Sequence, residues 1–342
     1  MIYFAIYFIL FIGSFTGLKP KTFGLYLFFL IIILGLRSSE IGADTARYIE
    51  YYNYVDQSTG HMEIGWNLLS RLCKYFGLSA YIFNLIVASL TLSIIGYVIR
   101  LQKSHKIIGF SLFLLYSLGF YFLMFNGMRQ LFAGAIVFLA FYLLAENKNW
   151  KIIVLIILLA SCFHASALIT IPVVFLPKMS LKINWVLLVL VLSFAVGMVA
   201  SDSFFTFFAG NYAHDVYTYG LRDSFAYALT VGAFTNVLFL LIFNFSSTNL
   251  KQNIWMKLFF ISVVVMNLLI NLVIGPRIVY YFSIAQIIAI SLFVAESKPN
   301  TNINVAICYI YALLTFTRFM IGEYNSKEGS LIPYQMVSFD LI

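Results

Sequence analysis

Residues 151–176 read KIIVLIILLASCFHASALITIPVVFL, an apolar run in which Lys151 and His164 are the only basic side chains and no side chain is acidic. A helix needs about 20 apolar residues to cross the hydrocarbon core of a bilayer. This run is long enough, and shorter runs recur along the whole chain, so the sequence predicts an all-α, polytopic integral membrane protein. The apolar runs occupy residues 1–18, 22–36, 79–99, 107–125, 131–145, 152–176, 183–200, 225–245, 258–274, 278–295 and 303–321.

The composition of the chain points to the same class of protein. Of the 342 residues, 62% are hydrophobic and only 10% are charged, whereas a soluble domain carries about 25% charged residues. A water-soluble enzyme, a nucleic-acid-binding domain and a disordered chain are therefore excluded. Cys73, Cys162 and Cys308 are isolated and odd in number, so they indicate neither disulfides nor a metal site. We interpret residues 1–342 as a single transmembrane domain.

The distribution of lysine and arginine predicts the orientation in the membrane. Six loops hold 12 of the 21 basic residues and only two of the 13 acidic ones. By the positive-inside rule these loops are cytoplasmic and the N-terminus lies outside. The six loops are residues 18–21, 100–106, 146–151, 177–182, 246–257 and 296–302.

Two consecutive loops, 146–151 and 177–182, fall on the cytoplasmic side, so the run 152–176 between them should cross the membrane twice or not at all. Each half of this run is only roughly 18 Å long at about 1.5 Å per helical residue. We therefore predict a re-entrant hairpin of two half-helices with His164 near its tip, alongside about 10 transmembrane helices. The alternative is one tilted span over residues 152–176.

Arginine is concentrated on the predicted outer side, where all but one of the eight arginines lie. The positive-inside rule does not separate Arg from Lys, but the planar guanidinium matches phosphate oxygens in pairs. The pattern predicts an anionic, lipid-linked ligand, with Arg37, Arg129 and Arg277 as diphosphate ligands and Arg47 as a weaker fourth. Alternatively, some arginines reach lipid headgroups or pair with outer acids.

The outer segment 37–78 carries the densest group of charges. Arg37, Glu40, Asp44 and Arg47 recur at intervals of three or four, which predicts one face of a helix. A carboxylate beside a diphosphate could accept a proton from a sugar hydroxyl. The alternative is a solvated helix held by its own ion pairs.

The second part of this segment, residues 61–76, is amphipathic and predicts a helix in the outer interface of the membrane. Trp66 is interpreted there as an interfacial belt residue. Glu63 could orient an acceptor, but surface solvation is the favoured interpretation.

Three further passages contain candidate residues. Gly127 and Arg129 predict a helix start whose free amides bind an anion, although an ordinary connection between helices fits equally. An ionisable residue in a membrane segment, here His164, is a functional candidate; the alternative is a packing histidine. Arg277 precedes Tyr280 and Tyr281, which could contact phosphate and sugar. The outer loop 201–224 mixes aromatic and acidic residues in a weak sugar-binding or interfacial pattern.

Four passages together resemble the bacterial EpsG family, relatives of Wzy-type O-antigen and exopolysaccharide polymerases. They are Gly35-Leu36-Arg37 with Gly42–Tyr48, Arg129-Gln130 with Ala133, His164–Ala167, and Arg277 with Tyr280-Tyr281. The resemblance implies a fold similar to GT-C glycosyltransferases and polymerisation of undecaprenyl-diphosphate-linked oligosaccharide repeat units. It also implies an active site at the periplasmic face of the bacterial inner (plasma) membrane. The chain departs from larger polymerases in having no long outer loop in its second half.

The expected reaction is glycosyl block transfer from a lipid-diphosphate donor to a hydroxyl of an acceptor glycan. Asp44 is the preferred base and His164 its competitor. Glu40, Tyr48, Tyr280 and Tyr281 are predicted to contact the substrate. A divalent metal at Glu40 and Asp44 is the alternative to arginine, but neither a metal nor a cofactor is predicted.

The expected partners are the lipid-linked donor and acceptor glycans and membrane lipid, with a chain-length regulator as a further candidate and no nucleic acid. Two other functions remain open. One is a flippase or transporter of lipid-linked oligosaccharides, although the ionisable groups gather on one side. The other is a ligase-type transferase that moves glycan to a lipid acceptor, which the sequence separates poorly from a polymerase.

Overall fold

The structure is a computed structural model that describes residues 2–57, 62–199, 232–270, 275–296, 302–325 and 330–338. Over these residues the secondary structure is helical and no β-strand forms, apart from one isolated bridge between Arg37 and Met336. The predicted outer loop 201–224 lies outside the described residues.

The chain divides into two compact units, Met1–Leu168 with Pro299–Ile342, and Ile169–Lys298. A 3₁₀ helix, Ala165–Lys178, carries the chain from the first unit into the second. The helices of the first unit are α1 Ile2–Thr16, α2 Pro20–Gly35, α3 Thr45–Asn53, α4 Ile64–Tyr75, α5 Ala80–Arg100, α6 His105–Ser117, α7 Phe120–Asn126, α8 Met128–Ala145, α9 Trp150–Ser161 and α16 Asn302–Tyr324. The described helices of the second unit are α10 Ile183–Val199, α11 Ala233–Phe245, α12 Thr248–Gln252, α13 Ile254–Leu268, α14 Gly275–Ser283 and α15 Gln286–Glu296.

The predicted all-α, membrane-type fold is confirmed, but the predicted number of about ten spans is not. Four described helices are long and apolar enough to cross a bilayer, and α6 with α7, bent by 44°, would make a fifth. Gly119, with φ +85°, lies at this bend. Seven other apolar helices have only 10–17 residues. The four long helices are Ala80–Arg100, Met128–Ala145, Arg277–Glu296 and Ile303–Tyr324, where Arg277–Glu296 counts α14 and α15 together as one span.

The core of the first unit forms around α6, which is buried on every side from Ile107 to Ser117. Helices α1 and α16 both pack beside α6. They run antiparallel to each other, and aromatic rings form the contacts between them. The ring of Tyr7 stacks on Phe316 with centroids 4.3 Å apart, and Phe15 stacks on Tyr309 at 4.5 Å. A helix that is apolar all round needs such neighbours on all its faces, which explains why α6 is central.

The second unit holds a polar contact between its helices. Asn236 of α11 and Asn267 of α13 exchange two side-chain hydrogen bonds, of 2.7 and 3.0 Å. Asn267 also donates to the hydroxyl of Ser193 in α10 at 3.0 Å. Such bonds between helices satisfy polar groups that lipid could not.

The single helical face predicted for Arg37, Glu40, Asp44 and Arg47 does not form, because α3 begins only at Thr45. Residues 38–44 form turns, and Gly42 adopts φ +86° with its α-carbon against the carbonyl of Phe125. A side chain on Gly42 would place its Cβ 2.6 Å from that oxygen. The turn therefore follows the surface of α7, and the four charged residues do not share one helical face.

The predicted amphipathic helix is α4, but Trp66 does not belong to an interfacial belt. Its side chain is 0% exposed and lies between the rings of Tyr48 and Phe83, at 5.7 and 5.2 Å. Ile64 and Leu68 instead point outward on the opposite face. The interfacial position of the segment 37–78 stays a prediction.

The long apolar run is broken where the sequence places His164. Helix α9 ends at Ser161 and the 3₁₀ helix begins at Ala165, so His164 lies in the break. The two halves differ in length: 12 α-helical residues rise about 18 Å, whereas 14 residues of 3₁₀ helix rise about 28 Å. The re-entrant hairpin stays a prediction, and the unequal lengths of its two halves are the reason to test it.

Cysteine labelling tests the hairpin. In a background without the three native cysteines, Lys148→Cys and Ser180→Cys should both react with an impermeant maleimide only from the cytoplasmic side, because both loops carry paired lysines. Labelling of position 180 from the opposite side would show that the 3₁₀ half reaches across the membrane.

Candidate functional site

The carboxylate of Glu63 joins three segments of the first unit. Its Oε1 lies 2.8 Å from Nδ1 of His164 and accepts a hydrogen bond from the backbone N–H of Ala165 at 3.3 Å. Its Oε2 accepts a hydrogen bond from the guanidinium of Arg129 and forms an ion pair with it. A carboxylate can only accept, so Nδ1 of His164 carries a proton, and in the neutral imidazole Nε2 is then the nitrogen with the lone pair. We refer to Glu63, Arg129 and His164 as the Glu63 cluster.

Local geometry explains how the chain brings these side chains together. Glu63 is the N-cap of α4, and two residues later the N–H of Gly65 donates to the carbonyl of Cys162 at 2.7 Å. The first turn of α4 thus rests directly on the break that holds His164. Arg129 is the second residue of α8, which begins after Gly127.

Gly65→Ala is expected to destabilise the protein, because its Cβ would lie 2.8 Å from the carbonyl oxygen of Cys162. Backbone on both sides leaves little room to yield, and overpacking of this kind costs about 1–3 kcal/mol. The thermal unfolding midpoint in detergent should fall. Gly24→Ala is the matched control, since nothing lies within 4 Å of its added Cβ. Equal midpoints for both variants would contradict the close contact.

The Glu63 cluster is partly shielded from solvent, with 20% of the Glu63 side chain, 21% of Arg129 and 27% of His164 exposed. Burial alone would raise the pKa of Glu63. The hydrogen bond to His164, a backbone N–H and the charge of Arg129 outweigh it and lower this pKa to about 2. Glu63 is therefore a carboxylate at neutral pH.

Tyr48 adjoins the cluster through Arg129. Burial raises the pKa of the Tyr48 phenol, and Arg129, which hydrogen-bonds to Tyr48, opposes this rise. The charge of Asp44 acts on the same phenol and raises its pKa. Tyr48 thus lies near both Arg129 and Asp44, although only 8% of it is exposed.

Arg37 lies inside the protein, with 0% exposure. It donates to the carbonyl of Leu34 at 2.6 Å, the carbonyl of Phe125 at 3.1 Å and the hydroxyl of Thr45 at 3.0 Å. Burial lowers its pKa to about 10, which leaves it charged at neutral pH. In this position Arg37 holds α2, α3 and α7 together, and the structure does not support the predicted direct contact with a diphosphate.

The remaining charged candidates lie on the surface before and within α3. Asp44 and Arg47 form an ion pair of 3.7 Å with 31% and 78% of their side chains exposed. Glu40 is also exposed. The backbone N–H of Ala43 donates to Asn126 Oδ1 at 2.8 Å, which ties this turn to the segment leading to Arg129.

Three predicted contact residues belong to the second unit. Arg277 has an exposed side chain in the first turn of α14, and Tyr280 is half-buried. Tyr281 is 1% exposed and packs in the core of its unit. A ligand could therefore reach Arg277 and Tyr280, whereas the burial of Tyr281 does not support its predicted contact with sugar.

Three of the four passages that resemble the EpsG family thus meet in the first unit at Glu63, a residue whose sequence context favoured surface solvation. The partners of Glu63 are 66 and 101 residues away along the chain. No periodic pattern connects positions so far apart. The sequence feature that could have indicated this role is the lone carboxylate of Glu63, two residues before Gly65, at the start of an amphipathic helix.

The fold and the Glu63 cluster define a helical membrane protein whose carboxylate, imidazole and guanidinium can move protons and bind anions. The chain belongs to the EpsG family, which it matches over residues 21–336. This confirms the resemblance seen in the sequence, and the family includes Wzy-type polymerase-like proteins. No curated protein and no solved structure matches the chain.

Proposed function

We propose that this protein joins undecaprenyl-diphosphate-linked oligosaccharide repeat units into a surface polysaccharide at the periplasmic face of the bacterial inner membrane, on a GT-C-like fold. Membership of the EpsG family supports a polysaccharide polymerase. The observation that carries the proposed chemistry is that one carboxylate, Glu63, contacts both Arg129 and His164.

His164 is the general base in this proposal. Its Nδ1–H is held by Glu63, so Nε2 can accept a proton, as an imidazole oriented by a carboxylate does. The acceptor hydroxyl gives its proton to Nε2 and its oxygen bonds to the anomeric carbon of the donor glycan. The bond between that carbon and the diphosphate oxygen breaks, and the lipid diphosphate leaves with the electron pair.

Arg129 is the central diphosphate ligand in this proposal. A diphosphate is already a good leaving group, so the protein needs chiefly to bind its charge and to position the reactants. Arg129 is paired with Glu63, and 21% of its side chain is still exposed. Arg47, 78% exposed, is an additional ligand, whereas Arg37 maintains the turn that precedes α3. The role of Arg277, which lies in the second unit, stays the prediction that the sequence made.

Asp44 is the less favourable base of the two that the sequence left open. It is paired with Arg47, and its charge reaches Tyr48. Neither contact orients Asp44 as a proton acceptor in the way that Glu63 orients His164. We assign Asp44 and Glu40 to acceptor binding at the edge of the site.

Reconstitution with one lipid-linked repeat unit tests the proposed function. A polymerase should produce a ladder of lipid-linked products of increasing length, and the His164→Gln protein should not. A single product on a lipid acceptor would indicate the ligase, and transfer of intact substrate across the bilayer without a new glycosidic bond would indicate the flippase. Either result would refute the polymerase.

A further inference from the structure

A cavity of about 630 Å³ lies at one end of the first unit, apart from the Glu63 cluster. Its walls are the first turn of α1, the last turns of α16 from Thr317 to Tyr324 with the following Asn325, and residues 332–334. The volume is that of a typical small-molecule site, which measures about 300–1,000 Å³. None of the residues considered for catalysis lines it.

The cavity occupies the gap between the start of α1, the end of α16 and residues 332–334. Deeper in the unit the two helices touch, with Phe4 and Phe316 in edge contact at 5.5 Å. Beyond that contact the C-terminal segment closes the gap. Tyr334 donates to the carbonyl of Ile33 at 3.0 Å, and the N–H of Val337 donates to Leu36 O at 2.9 Å. These bonds hold the wall in place, so the cavity is a built feature of the fold.

The lining selects an apolar ligand. Aliphatic and aromatic side chains dominate it, and an apolar cavity of this kind does not hold water well. Its rim includes Phe4, Ile321 and Tyr324, which are 46%, 56% and 79% exposed. In a protein of this class such exposed apolar groups face bilayer hydrocarbon, so the medium next to the opening supplies hydrocarbon chains.

One end of the cavity is polar. From Thr317 to Asn325 the wall follows α16 for eight residues, or about 12 Å at 1.5 Å per residue. Tyr324 and Asn325 lie where the helix ends, and their phenol and amide groups are the polar groups at this end of the wall. A chain that lies along this wall would have its apolar part beside Met320 and its polar end beside Asn325.

We propose that this cavity binds the hydrocarbon chain of a membrane lipid with the lipid's polar end beside Asn325. The chain comes from a phospholipid or from a polyprenyl carrier, which offer the same apolar chemistry. This site does not depend on the proposed polymerase activity.

Photo-crosslinking to the purified full-length protein in nanodiscs tests the site. One probe is a phosphatidylglycerol with a diazirine on its acyl chain, and the other is a polyprenyl phosphate with a diazirine on its isoprenoid chain. Peptide mapping should place crosslinks within residues 317–325 and at the start of α1. Labelling by only one probe identifies the source of the chain, and labelling by both shows that either enters.

Substitutions that fill the cavity provide the control. Thr317→Trp and Ile321→Trp both add bulk to its wall and should each reduce labelling by roughly tenfold, the effect of about 1.4 kcal/mol of lost binding. Leu314→Trp makes the same kind of change on α16, at an exposed position outside the lining, and should label normally.

Two outcomes would overturn the proposal. One is equal labelling of a correctly folded Thr317→Trp or Ile321→Trp protein and the Leu314→Trp protein. The other, which needs no variant, is a wild-type protein that crosslinks to either probe elsewhere but not along the cavity wall. Because the measurement is binding, it is independent of whether the protein polymerises glycans.

Discussion

Glu63→Gln is expected to reduce the rate of glycan transfer by about 100- to 10,000-fold, the range that general base catalysis contributes. The glutamine amide can donate to Nδ1 of His164, which would move the ring proton to Nε2 and remove the proton acceptor. It would also leave Arg129 without its carboxylate. The measurement is the initial rate of ladder formation in liposomes. Glu50→Gln, an exposed carboxylate on α3, should behave as wild type.

The companion variants distinguish the two candidate bases. His164→Gln should be nearly inactive while still binding the lipid-linked donor, and Asp44→Asn should retain most activity. An inactive Asp44→Asn protein beside an active His164→Gln protein would make Asp44 the base.

Arg37→Lys is expected to produce the largest loss of stability among the arginine variants, about 2–5 kcal/mol. Its guanidinium serves the carbonyls of Leu34 and Phe125 and the hydroxyl of Thr45. One ammonium group cannot reach all three in the same geometry, so buried acceptors would be left unpaired. The thermal unfolding midpoint in detergent is the measurement.

Arg47→Lys is the matched control, because its side chain is 78% exposed and surface substitutions usually change stability by less than about 0.5 kcal/mol. An Arg37→Lys protein that unfolds like wild type but no longer binds the lipid-linked donor would contradict the structural role. It would return Arg37 to the set of diphosphate ligands that the arginine pattern predicted.

The helices were predictable because apolar character is a local property of the chain. The run 79–99 became α5, the break at His164 became the boundary between α9 and the 3₁₀ helix, and Arg129 lies in the first turn of α8 as its Gly-containing turn predicted. The free energies of transferring apolar side chains out of water add up along a window of sequence. A membrane helix can therefore be recognised without knowledge of distant residues.

The wrong predictions share one cause. The charged residues from Arg37 to Arg47 have the spacing of a helix, but Gly42 is held against Phe125, 83 residues further on, and this contact determines the backbone there. Trp66 has the character of an interfacial residue, but Tyr48 and Phe83 enclose it. In each case a tertiary contact outweighed a local preference of about 1 kcal/mol or less.

The sequence by itself determined the helical membrane class, the positions of most helices and the family, and it predicted Arg129 and His164 as site residues. Only the tertiary structure decided which charges meet. It buried Arg37 among carbonyl groups, left Arg47 at the surface and placed Glu63 between Arg129 and His164. The physical reason is the distance along the chain over which each property is set. Hydropathy is a sum over residues that are neighbours in the sequence. An ion pair or hydrogen bond instead requires atoms within about 3–4 Å of each other, whatever their separation in sequence.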